Sequence, residues 1–197
     1  MPVIAPAAPA PYSAYLLLKL RAMGWLSLGQ STRALATFDI MLARWPGDPY
    51  ALASRAHLHG QAQQYEPAIA DLQALVRAHP ERSAGDWFNL AFLLEADNRL
   101  DEAEAAFRRA TALDDKLDRA WYGLGLVLIR LGRPDDAVSA LRRNTELQPM
   151  SPYGWYQLAR VHAGSQRLEE ALKIIRHLKG FEPKVASQLE RETGLRA

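Results

Sequence analysis

Apolar positions along this chain recur three, four and seven residues apart rather than at every second residue, the period of helices packed on one side. Around Trp121 the run is Trp121, Leu124, Gly125 and Leu128, one apolar stripe with a small residue set into it. A second stripe follows at Ala137 and Leu141. The two-stripe unit then returns at a fixed interval. Trp87, Trp121 and Trp155 are 34 residues apart, as are Pro149 and Pro183, and Pro46 and Pro80. Ala34, Ala68, Ala103, Ala137 and Ala171 step by 34, 35, 34 and 34 residues. Such a period marks an array of small supersecondary units, each stacked on its neighbours.

Every recurring position has a physical reason. The small residue in the first stripe lets a neighbouring helix approach, which a larger side chain would prevent. Alanine, followed by a large apolar residue four positions later, does the same for the second helix. Proline closes a unit because it disfavours helix in the residue before it and can start the next one. Turn residues agree with this division. Gly132 can cap the first helix of the fourth pair, with Pro134 and Asp135 opening its second. Asn98 stands as the cap of the third pair, followed by Asp101 and Glu102 in a first turn where negative charge is favoured. Gly29, Gly164 and Gly180 sit at matching break points.

The unit Trp121-x-x-Leu124-Gly125-x-x-Leu128, then Ala137-x-x-x-Leu141, then Pro149, resembles the tetratricopeptide repeat signature. The third unit carries Trp87, Leu90, Ala91, Leu94, Ala103 and Phe107, with Asp115 in place of the proline. The fifth carries Trp155, Leu158, Ala159, His162, Ala171, Ile175 and Pro183. The second matches through Leu52, Ala56, His59, Ala68, Leu72 and Pro80, and the first through Leu18, Ala22, Trp25, Ala34, Phe38 and Pro46. Arg21 and Arg55 stand where the family prefers leucine. The expected fold is all-α, a right-handed α-solenoid of five helix-turn-helix pairs. The pairs span 15–48, 49–83, 84–117, 118–151 and 152–185. A Pro/Ala-rich lead-in occupies 1–14, and a C-terminal capping segment, with a short helix starting near Pro183, occupies 186–197. No block of domain size lies outside these units, which argues against a hidden catalytic domain.

Composition narrows the function further. The 197 residues are 49% hydrophobic and 23% charged, ordinary for a globular chain. A net charge of +2, with signs alternating along the units, gives no continuous basic stripe, so no nucleic-acid partner is expected. There is no cysteine, which excludes disulfides, thiolate catalysis and thiolate-bound zinc. His57 and His59 are two residues apart and fall on different helix faces, so they form no metal pair. No phosphate-cradling glycine motif occurs. The carboxylate pairs Asp114/Asp115, Asp135/Asp136 and Glu169/Glu170 do not read as acid–base machinery, and the last two lie at expected second-helix starts, where the helix dipole favours negative charge. Arg108/Arg109 and Arg142/Arg143 read as solvated faces late in second helices. No catalytic residue, metal or cofactor is expected, and the chain reads as a non-enzyme.

The stretch 1–13 lacks the basic and apolar regions of a signal peptide, and 15–28 is too short and too charged to span a bilayer. A cytoplasmic location follows as the expectation, periplasmic or membrane-tethered if a leader has been removed. The use of Arg over Lys, 19 against 5, points to a bacterial source.

In tetratricopeptide proteins the first helices line the concave side, and ligand contacts recur at fixed positions of the unit. Carried onto this chain, the resemblance implies a peptide-binding set of Tyr50, His57, Phe88, Phe92, Arg119, Tyr122, Leu126, Arg130, Tyr153, Tyr156 and Arg160. The set is rich in Tyr, Phe and Arg, residues enriched at protein interfaces. The carboxylate clamp of the family's chaperone-tail binders is not matched. Starting from the first unit, Lys19 fits but Met23, Ser54, Gly85 and Asn89 do not. The leading expectation is therefore an adaptor or assembly factor that holds a partner's peptide segment in its groove. The alternative is a self-assembling scaffold. The first helix is apolar on almost every side, and Leu16, Leu17, Leu20 and Met23 predict a homodimer interface, the other covers being the lead-in folded back or a missing upstream segment.

Overall fold

The computed structural model describes residues 12–197. Those residues form eleven α-helices and no strand. The chain divides into two compact units, residues 1–80 and 81–197. The expected lead-in falls mostly on residues 1–11, outside the described residues.

The first unit holds α1 (Tyr12–Ser27), α2 (Ser31–Arg44), α3 (Pro49–Gln61) and α4 (Tyr65–Ala78). The second holds α5 (Ala84–Ala96), α6 (Leu100–Leu113), α7 (Asp118–Arg130), α8 (Pro134–Leu147), α9 (Pro152–Gly164), α10 (Leu168–Lys179) and α11 (Pro183–Thr193). Within each unit consecutive helices pack against one another, and every hairpin stacks on the next. The alanine ladder explains how closely they stack. Ala34, Ala68, Ala103, Ala137 and Ala171 are all fully buried, as are Phe38, Leu141 and Ile175 four residues after three of them. In the first helices the small positions Ala22, Ala91 and Ala159 are fully buried too. A β-carbon added at Gly125 would lie 2.7 Å from Leu141. Glycine there is a requirement of close helix approach rather than of backbone freedom.

The turns inside the pairs share one device. Gly29, Gln63, Asn98, Gly132 and Gln166 all adopt a left-handed backbone, with φ between 57° and 71°. Each lies five residues before its ladder alanine, so the turn repeats as faithfully as the core. Gly164, expected as a break point, is the last residue of α9, and the left-handed position of that pair is Gln166. Gly180 ends α10 in right-handed geometry. A left-handed residue with a β-carbon is disfavoured by about 1–2 kcal/mol. Gln166→Gly is therefore expected to raise the stability of its unit by about 0.5–1 kcal/mol, read from urea unfolding, after glycine's greater unfolded-state entropy is set against the relief. Equal or lower stability would show the turn unstrained.

The family-disfavoured Arg55 turns out to be structural. Its Nε and Nη2 donate to the two oxygens of Asp71 at 2.8 and 2.6 Å, and its Nη1 to Asp39 at 2.6 Å. One guanidinium so ties α3 to both α2 and α4. These hydrogen bonds, first to Asp71, hold Arg55 above its ordinary range against the opposing effect of burial. Arg21, the matching departure of the first pair, is exposed.

At the other end α11 closes the fifth pair. Ala186 and Leu189 are fully buried, and Val185 and Leu195 pack beside them against Leu158, Ile175 and Leu178. Gly194 ends the helix with a left-handed φ of 72°.

Candidate functional site

The candidate binding residues fall in both units, and each unit presents its own face. In the first, Tyr50 at the start of α3 packs edge-on against Phe38 at 5.9 Å, and the Lys19 ammonium lies 4.5 Å from its ring centre. Burial raises the Tyr50 phenol above its usual value. His57 stands exposed on the same helix. Nearby, Tyr15 meets the Trp45 ring at 5.3 Å, and burial with Asp48 pushes its phenol up to about 12.

In the second unit the first helices α5, α7 and α9 are neighbours. The repeat therefore sets Phe88, Tyr122 and Tyr156 in one row and Phe92, Leu126 and Arg160 in the next. Phe88 and Phe92 stack at 6.4 Å, and Phe92 is 57% exposed. Arg119 lies over Phe88 with its guanidinium 4.4 Å from the ring centre. Tyr122 and Leu126 are half-buried, and Tyr153 is 69% exposed.

The three arginines of this face differ in what they already hold. Arg130 donates to Asn98 Oδ1 at 2.6 Å and to the Glu95 carbonyl at 3.3 Å, and lies 3.5 Å from the Glu95 carboxylate. Burial still raises Glu95 above the usual carboxylate range, against the lowering effect of Arg130. Arg160 lies 3.8 Å from Glu192. Arg119 has an aromatic platform and, among the described residues, no carboxylate partner. It is the cation of this face that remains to be used.

The tail reaches into the same face, which the sequence pattern did not foresee. Tyr156 Oη donates to Glu192 at 2.7 Å, and Gln188 Nε2 donates to both Tyr156 Oη and Glu192, at 3.2 and 2.8 Å. The hydrogen bond from Tyr156 holds Glu192 below the usual carboxylate range, and its counterpart raises the phenol. Tyr156 and Arg160, expected to meet a ligand, thus already meet a carboxylate of α11. The only forewarning was that α11 is amphipathic, with Glu192 three residues from Leu189 and seven from Val185, at the edge of its apolar stripe.

The remaining charges take up structural places. Asp135 and Asp136 lie in the first turn of α8, and Glu169 and Glu170 in that of α10. Asp114 accepts from the Lys116 amide at 3.0 Å. Arg133 bridges Asp136 and Glu104, and Arg167 reaches Asp135 at 2.6 Å. With Arg99 these arginines recur every 34 residues, a ladder legible in the sequence and overlooked there. Leu17 and Leu20 of α1 are 68% and 64% exposed, and Leu16 and Met23 are exposed as well. Among the described residues, no group of three or more His, Asp or Glu is placed to hold a metal ion. No described helix is long and apolar enough to cross a membrane.

Comparison with curated proteins gives no match. Solved structures are similar in fold. A crystal structure of MamA protein superposes with a TM-score of 0.79 at 19% identity, covering 92% of this chain and 96% of that one. YrrB, described as a TPR protein with an unusual peptide-binding site, gives 0.77 at 21% identity, covering 86% and 88%. A tetratricopeptide repeat protein from Parabacteroides merdae gives 0.78 at 15% identity, covering 92% and 74%. The tetratricopeptide repeat model matches residues 20–82, 54–118, 88–143 and 122–180. These overlapping matches fall on the helix pairs whose alanines are buried in register, and the chain belongs to the tetratricopeptide repeat family.

Proposed function

We propose that this protein is a protein–protein interaction module, and that the first-helix face of residues 81–197 holds a peptide segment mixing apolar and acidic residues. One observation carries the reading. Arg119 is laid over Phe88 beside the exposed Phe92, a cation without a carboxylate next to uncovered aromatic area. Arginine pairs with carboxylates bidentately and stacks on rings, so an acidic residue flanked by an apolar one complements both. Glu192 seated on Tyr156 and Arg160 supports the same chemistry, since it is an acidic residue of a helix on that face. The peptide-binding site named for YrrB supports the class of ligand. Tyr50 and His57 form a separate face of the first unit in this reading.

A peptide array of mixed acidic and apolar segments tests it. Phe92→Ala with Arg119→Gln is expected to weaken the best binders by about 30-fold or more, the effect of losing a hot spot worth about 2 kcal/mol. Helicity stays unchanged, because neither side chain is buried. Unaltered binding would move the site off this face.

A second reading, self-association through α1, is favoured by the exposed row of Leu16, Leu17, Leu20 and Met23. Such a row marks an interaction surface, and two-fold pairs are the commonest assembly. Light scattering at micromolar concentration is expected to give a dimer mass that Leu17→Glu with Leu20→Glu reduces to a monomer. A monomer mass for the unaltered chain ends this reading.

A further inference from the structure

On the second-helix side of the fifth pair, α8, α9 and α10 surround a cleft of about 360 Å³. Its floor is apolar, made by Trp155, Leu158 and Ile174, and its walls carry both signs of charge: Arg142 and Lys173 with Glu146 and Glu170, beside Thr145, His162 and His177. None of these residues belongs to the first-helix face. His177 packs on Trp155 at 4.6 Å, and the Trp155 indole is fixed by donating to the Pro149 carbonyl at 2.9 Å.

Two features of this cleft call for a ligand. The first is His162. In the third and fourth pairs the same position holds Leu94 and Leu128, both buried core residues. His162 is equally buried, at 2% exposure, and its Nδ1 is enclosed with no hydrogen-bond partner. An unmade bond on a buried polar atom is destabilising, and leucine at this position would avoid it. The second is Arg142. The neighbouring Arg143 is held by Asp115 and Glu146, and Glu170 is held by Lys173 at 2.8 Å. The carboxylates of the lining are thus already matched. Arg142 makes no ion pair among the described residues.

We propose that this cleft is a second binding site, and that it takes the C-terminal residue of a peptide ending in a hydrophobic amino acid. The terminal carboxylate pairs with Arg142, and the side chain lies on Trp155, Leu158 and Ile174. His162 sets a polar ring in the wall where the third and fourth pairs have leucine. The cleft volume stands near the low end of ligand sites, which fits one residue rather than a helix. An internal Asp or Glu would satisfy Arg142 and leave the apolar floor empty. A hydrophobic chain end supplies the charge and the apolar group within one residue.

The test uses the intact chain and three probes, N-acetyl-phenylalanine, its C-terminal amide and 3-phenylpropionate, followed by NMR of the Trp155 indole and the histidine rings. N-acetyl-phenylalanine is expected to shift these signals saturably, with the amide at least about tenfold weaker. Phenylpropionate, lacking the peptide group, is expected to bind more weakly than N-acetyl-phenylalanine. Arg142→Gln is expected to weaken the acid about tenfold with an unchanged melting temperature. His162→Leu is expected to raise the melting temperature while weakening the acid, a split that a purely structural histidine would not show. Equal binding of acid and amide, or no saturable shift with either, overturns the site. Phenylpropionate binding as tightly as N-acetyl-phenylalanine overturns the peptide assignment in favour of a small organic acid. Arg119→Gln leaves all of these affinities unchanged, which separates this site from the first-helix face.

Discussion

Ala137→Arg is expected to destabilise residues 81–197 by about 4 kcal/mol or more, enough to remove a large part of an ordinary domain's stability. Ala137 is fully buried in the first turns of α8, at the position where every pair brings its two helices together. Any longer side chain there pushes α8 away from α7 and opens the contact that holds Leu141 against Gly125. Overpacking alone costs about 1–3 kcal/mol. The guanidinium adds a desolvation cost, since the preceding turn offers no free carboxylate on that side. Urea unfolding followed by circular dichroism reads the loss. The first unit retains its own helical signal, because its core residues lie in 1–80. A variant that unfolds with the natural midpoint would place Ala137 outside the core.

Arg55→Leu is the second large effect, and its direction runs against the family preference. Leucine is the residue the repeat favours at this position, yet here it is expected to lower the stability of residues 12–80 by about 3–5 kcal/mol. Asp71 is the reason. Its side chain is 7% exposed and both its oxygens are held by Arg55, itself 24% exposed. Removing the guanidinium leaves a buried carboxylate with its charge uncompensated. Asp39 is much less affected, because it is largely in solvent. Adding Asp71→Leu to Arg55→Leu is expected to restore most of the loss, since a buried pair replaced by apolar residues is often neutral or better. Thermal melts of the two variants decide it. A single variant as stable as the natural chain, or a double variant no better than the single one, would show that the ion pair does not hold these helices.

The pattern of small and large apolar residues determined the helices, their pairing and the family by itself. These features depend on which side chains lie on one helical face, and that follows from spacing alone. The ladder from Ala34 to Ala171 could be read as buried because a small residue recurring at helix–helix distance has no other use. Turn geometry was half legible. Gly29, Asn98 and Gly132 announce a left-handed residue, but Gln63 and Gln166 do not, and there the repeat's register imposes the conformation on an unsuited residue.

What only the tertiary structure decided concerns the charged and polar groups. Their partners lie far along the chain, and long side chains reach several neighbours. Arg55 looked like a flaw in the repeat until Asp39 and Asp71 were brought to it from the helices on either side. Tyr156 and Arg160 looked open to a ligand until α11 laid Glu192 across them, 36 residues from Tyr156. His162 passed in sequence for a large residue at a core position. Only the packed cleft shows that its ring nitrogen is buried without a partner beside an arginine without a carboxylate. Spacing determines which face a residue occupies, whereas charge pairing and desolvation depend on what the other faces bring to meet it.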